Sequence, residues 1–158
     1  MGYIWKLNRV VQNITEINMT ASEALDHLFS IVWVSSLKTN ISGELRRYLR
    51  PTNSDKEDVT LNLLNPVDFE QLQSGIFNMN VFVPNPEYSK TIDGKPVRLK
   101  DIPNNQRIAV LSALSTLALK FQYDKAKHVA IELQTQNILT ESEQTIINNR
   151  VKLTIKNL

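Results

Sequence analysis

The stretch ISGELRRYLRPTNSDKEDVTLNLL, residues 41–64, with QSGIFNMNVFVPN, residues 73–85, decides how this chain is read. Within it Val59, Leu61 and Leu63 alternate with Thr60 and Asn62, and Phe77, Met79, Val81 and Val83 alternate with Asn78 and Asn80. Successive side chains of a strand point to opposite faces, so both runs predict strands with one apolar face. Leu45 to Leu49 predicts a further strand, with Arg46, Tyr48 and Arg50 on one face. Arg50-Pro51 stops it, because proline has no N–H for a ladder. Asn65-Pro66 ends the next strand, and residues 65–74 read as a polar connection.

Upstream, Thr20 and Glu23 match a capping box. Leu25, Leu28, Phe29, Val32 and Trp33 then recur at helical spacing, widened by Ile31 and Val34. That breadth predicts a helix buried on more than one side, against core or a neighbouring subunit. Residues 3–18 predict a short helix or an extended arm. Downstream, Pro84, Pro86, Pro96 and Pro103 punctuate a long loop, with a turn at Asp93-Gly94; long loops in compact domains are often functional. Asn104 or Asn105 caps a second helix with the stripe Ile108, Leu111, Leu114, Ser115, Ala118 and Phe121. The tail predicts a hairpin: Val129, Ile131 and Leu133 in one strand, Val151, Leu153 and Ile155 in the other, joined by a polar, acidic connection over Asn137 to Gln144. The sum predicts an α+β fold: a mainly antiparallel sheet of about four or five strands with two main helices packed on one face. An arm or short helix at 1–19 precedes a single domain at 20–158, whose Pro-rich loop spans 84–103.

A chain of 158 residues is long enough for one domain with a real core. It is 42% hydrophobic and 22% charged with a net charge of +2, so bulk charge does not demand a nucleic-acid partner. It has no cysteine, which excludes disulfides, thiolate metal sites and thiol nucleophiles. The first residues lack the continuous apolar run of a secretory signal, and Lys6 stands where a myristoylation motif needs Ser or Thr. No apolar run approaches the ~20 residues that span a bilayer.

The sequence predicts no enzyme, cofactor or metal. His27 follows Glu23 by one helical turn, the spacing of a surface contact, and His128 has no predicted partner. Two isolated histidines do not make a zinc site. Gly43 and Gly75 read as turn residues. Glu57 and Asp58 are sequence neighbours that point to opposite faces of a strand, so they cannot converge on one ligand; they read as solvated. Charge is patterned instead: net +3 over Lys38 to Arg50, net −4 over Asp55 to Glu70, and net +3 over Lys90 to Arg107. Separated patches of opposite sign suit head-to-tail association, the geometry that closes into rings.

The run at 41–64 has a small-residue turn with Gly, a basic strand, an Arg-Pro corner, Asn-Ser, an acidic pair and a strand. It resembles the tail-completion and tail-terminator proteins of tailed bacteriophages, especially those of Bacteroides-type phages. GIFNMNVFVPN at 75–85 resembles the strand that follows in that pattern. HVAIELQTQ at 128–136 and NNRVKLTIKNL at 148–158 resemble its closing hairpin. The resemblance covers most of residues 20–158; the first 19 residues have no counterpart, and the long loop departs from the pattern. It implies a small α+β virion subunit, assembled in the bacterial host cytoplasm, that forms a ring at the neck or tail as a tail-completion protein or head–tail connector. Its partners would be copies of itself, other neck, portal or tail proteins, and DNA passing through the lumen without sequence-specific binding; no membrane and no cofactor are implied. The candidate subunit-contact residues are Arg46, Arg47 and Arg50 on the basic strand, and Pro84, Tyr88, Lys95 and Arg98 on the Pro-rich loop. The alternative is a small cytosolic module that binds a ligand between sheet and helix or regulates a partner.

Overall fold

In a computed structural model, residues 18–157 are described. The arm or helix expected near the start falls almost wholly outside them. Helix α1 spans Ala21–Trp33, α2 Ser36–Asn40 and α3 Asn105–Ala118. The strands are β1 Leu45–Arg47, β2 Val59–Asn65, β3 Leu72–Pro84, β4 Tyr88–Ile92, β5 Lys95–Leu99, β6 Gln122–Asp124, β7 Val129–Thr140 and β8 Gln144–Lys156.

Helix α1 starts where its local chemistry dictates. The Thr20 hydroxyl accepts from the Glu23 N–H at 3.1 Å, and the Glu23 carboxylate accepts from the Thr20 N–H at 3.5 Å. These bonds satisfy donors that a helix start otherwise leaves orphaned. The helix then buries Ala24, Leu25, Leu28 and Val32. At α3 the Asn104 side chain accepts from the Arg107 N–H at 3.2 Å, and Leu111, Ser115 and Ala118 go inward.

Six strands form one curled, mixed sheet in the order β1-β2-β3-β8-β7-β6. Among the described strands only β1 and β2 run parallel. The last strand, β8, lies between β3 and β7 and pairs with β3 from Leu72↔Lys156 to Pro84↔Gln144. Phe77, Met79 and Val81 of β3 share the inner face with Ile147, Val151 and Leu153 of β8, and the helices cover it. The opposite face carries Asn78, Asn80 and Asn148, whose amides bond each other at 2.7 and 3.3 Å. At one corner the 48–58 segment folds over this second face and lays the Arg50 guanidinium 4.5 Å from the Phe82 ring centre.

The expected α+β sheet of four or five strands is incorrect. The described residues form a β-rich half-barrel of six strands, with a separate two-stranded sheet and three helices. The sixth strand of the main sheet is β6, Gln122–Asp124, which no alternation announced, and three further local differences stand beside it. The Pro-rich loop at 84–103 is itself largely a hairpin, β4–β5, turning through Asp93 and Gly94 at φ of 51° and 74°. Positive φ at both central residues fits the twist of paired strands. The acidic connection expected over 137–144 is mostly strand, leaving only Glu141–Glu143 between β7 and β8. The basic strand is only three residues long, because Tyr48 turns into the left-handed region at φ 66°. Phe121, expected in the α3 stripe, is 66% exposed, while Leu119 is buried.

Candidate assembly surfaces

Two charge pairs hold the corner at 42–58 from within, Arg50 with Asp58 and Arg107 with Glu57. Asp58 is buried although flanked by polar sequence. One carboxylate oxygen accepts from the Glu44 N–H at 2.9 Å, the other from Arg50 Nε at 2.8 Å. Burial alone would raise its pKa. The Ser54 hydroxyl, the Glu44 N–H and the Arg50 guanidinium outweigh that and hold it below the usual carboxylate value. Arg50 also donates to the Lys56 carbonyl at 2.8 Å and to the Gln144 side chain. Glu57 diverges from Asp58, as expected, but it is not solvated: Arg107 of α3 grips it through Nε and Nη2, each at 2.7 Å. The pair raises the Arg107 pKa further, first through this hydrogen bond. Gly43 is fixed by this packing, since a Cβ there would overlap the Asp58 carboxylate and lie 2.6 Å from the Glu57 carbonyl oxygen.

The remaining arginines of the basic run are also paired. Arg46 meets Glu44 and Arg47 meets Asp26, both at 2.7 Å and both exposed. Arg47 in addition covers the Phe29 ring at 3.8 Å. Arg46, Arg47 and Arg50 therefore do not present one bare cationic patch. Tyr48 and Leu49 at the strained corner are 58% and 77% exposed.

Three of the cations without an ion pair among the described residues lie on the β4–β5 arm. Lys95 and Arg98 sit on β5 and Lys90 on β4, all exposed, and among the described residues no carboxylate bridges them. Tyr88 opens β4 and donates to Asp101 at 2.6 Å, which raises its pKa. Pro84 closes β3 at the base of the arm. Buried Asn85 clamps that base: its N–H donates to the Glu143 carbonyl at 2.9 Å and its amide to the Lys100 carbonyl at 2.8 Å.

The second apolar side expected of α1, against core or a neighbouring subunit, is open at the far end of the helices and joins exposed residues of α3 and β6. Trp33, Val34, Leu117, Phe121 and Tyr123 are each more than half exposed. Phe29 stacks on Trp33 with ring centres 5.7 Å apart. A cleft beside them is lined by His27, Ser30, Val34, Leu117, Tyr123 and Lys127. The breadth of the apolar surface of α1 was the signal for it; an exposed apolar cluster of this kind marks interaction surfaces.

His27 is buried rather than on the surface, and Glu23 turns away to the cap. Burial first, then Lys127, lowers the His27 pKa, against an opposing pull from Asp124. Among the described residues its Nδ1 has no partner. His128 does have one, the Tyr123 hydroxyl at 3.1 Å. Among the described residues no group of three or more His, Asp or Glu side chains is placed to hold a metal ion, and no helix is long and apolar enough to cross a membrane. No protein-family model matches the chain, and a search of curated proteins returns no match.

Proposed function

We propose that this chain is a virion structural protein: a ring-forming subunit of a bacteriophage neck or tail that joins portal-side and tail-side components around the DNA channel. The observation that carries this reading is the separation of two unlike contact surfaces on one small subunit. A basic arm stands apart from the main sheet at one place, and an uncovered apolar patch lies at another. Unlike surfaces on one chain favour head-to-tail contacts, which close into rings when the rotation allows. The sequence resemblance at 41–85 and 128–158 points the same way.

The mechanism is geometric. Subunit contacts set the bore, and the arms reach adjacent components. The test is the mass and shape of the purified full chain over a wide concentration range, by light scattering and negative-stain imaging. Closed rings are expected. A single monomeric species at every concentration refutes the proposal.

A second reading, a small ligand-binding module, rests on the unpartnered His27 Nδ1 beside the cleft. Thermal stabilisation by a small molecule that vanishes in His27→Phe would favour it.

A further inference from the structure

The main sheet ends unfinished. β6 pairs with β7 only over Val129–Ile131. From Glu132 to Thr140, β7 is paired with β8 on one side, and among the described residues no strand lies on the other. The β7–β8 hairpin closes through the Glu141 N–H to the Gln144 carbonyl at 2.9 Å. In an antiparallel ladder alternate residues bond the partner, so Thr140, Ile138 and Gln136 aim their backbone groups outward. The Ile138 N–H meets only the side chain of its neighbour Asn137, at 2.9 Å. Beyond the irregularity between Leu133 and Thr135, the stretch Gln136–Thr140, QNILT, has no charge and no proline, two of the devices with which proteins blunt an edge.

The arm offers a matching strand. Its turn makes Ile92↔Lys95 the closing bonded pair, so Thr91↔Pro96 and Ser89↔Arg98 direct their backbone groups to the outer edges. On β5 one of the two outward positions is Pro96, which has no N–H. On β4 they are Thr91 and Ser89, and among the described residues no strand pairs with that edge. Charge also matches: Lys90, Lys95 and Arg98 outweigh Asp93 on the arm, whereas Glu132, Glu141 and Glu143 flank the free edge with no base among residues 132–143.

We propose that β4 of one copy adds to the free edge of β7 of the next, extending its six-stranded sheet. This rests on the ring reading above and names its contact. Pairing of β7 with β7 is disfavoured, because it sets like carboxylates against each other. Donor strand and acceptor edge differ, so the contact repeats head to tail.

The chain has no cysteine, so introduced ones report cleanly. Thr91→Cys is mixed with Gln136→Cys, Ile138→Cys or Thr140→Cys under mild oxidation. Adjacent strands hold such pairs within disulfide range. A covalent heterodimer is expected in at least one mixture, and a ladder beyond dimer when both cysteines share a chain. No heterodimer in any mixture overturns the contact, as does a homodimer of Ile138→Cys as the main product. Ile138→Pro removes an outward N–H without touching the β8 ladder; it should abolish assembly and leave the far-ultraviolet circular dichroism unchanged. Rings that persist in that variant overturn this contact alone. A wild-type chain that is only monomeric overturns the ring reading and this contact together.

Discussion

Replacing Asp58 by Ala should be among the most damaging single changes outside the apolar core. Its side chain is 1% exposed and that of Arg50 is 18% exposed. Removing the carboxylate strips Arg50 of its counter-ion and the Glu44 N–H of its acceptor. Breaking a buried pair from one side costs roughly 3–5 kcal/mol. Arg50 keeps its bonds to the Lys56 carbonyl and to Gln144, so the lower end, about 3 kcal/mol, is expected. With a urea slope of about 2 kcal/mol per molar, the unfolding midpoint falls by about 1.5 M. Asp58→Asn keeps an acceptor for Glu44 and loses only the charge, so it should fall between. The carboxylate is held below its usual pKa when folded. Its contribution is therefore complete above about pH 4 and is lost as pH falls through the folded value. The gap between wild type and Asp58→Ala must narrow in that acid range. A midpoint shift below about 0.5 M at neutral pH, with an unchanged slope, would refute the reasoning.

His27 is neutral and buried when folded but protonates near pH 6.5 when unfolded; acidification below that point should lower the melting temperature, and His27→Gln should flatten the profile between pH 7 and 5. Gly43→Ala pushes a methyl into the Asp58 carboxylate and the Glu57 carbonyl, and should cost roughly 1–3 kcal/mol in urea titration. Tyr48→Asn should raise stability by about 1 kcal/mol, since the left-handed conformation strains a tyrosine more than an asparagine. Asn85→Ala removes the clamp on the arm at about 1–2 kcal/mol; limited proteolysis should then cut faster near Asp93-Gly94 while β3 and β8 stay protected.

Features set by near neighbours were legible in the sequence. The α1 cap needs only Thr20 and Glu23, and the inner face of β3 needs only alternation. β7 was legible as far as Leu133 and no further. An irregularity between Leu133 and Thr135 leaves Gln134 without a partner and moves the inward positions from odd to even numbers. Past it, Gln136 takes the inner place, bonding Asn149 at 2.8 Å and the Ser112 carbonyl at 3.2 Å, so polar residues stand where apolar ones announce a strand. The arm was hidden because neither of its strands buries an apolar face. Charge sums along the chain misjudged the basic run, since partners are distant in sequence: Arg47 finds Asp26, and Arg107 finds Glu57, 50 residues away. The contact roles proposed for Lys95 and Arg98 rest on their exposure and lack of ion pairs.

The placement of β8 has a consequence for how the chain matures. β8 follows every other described strand in sequence, yet it is an inner strand of the sheet, flanked by β3 and β7. Until it leaves the ribosome, β3 keeps one whole side open, and the pairings that close it span long separations in sequence, which form slowly. Chains crowded on one messenger expose the same thirteen-residue strand, with its apolar face, to each other during that interval. Emergence of β8 thus acts as a timer: a nascent subunit cannot offer a completed β7 edge to a neighbour before its own centre is filled.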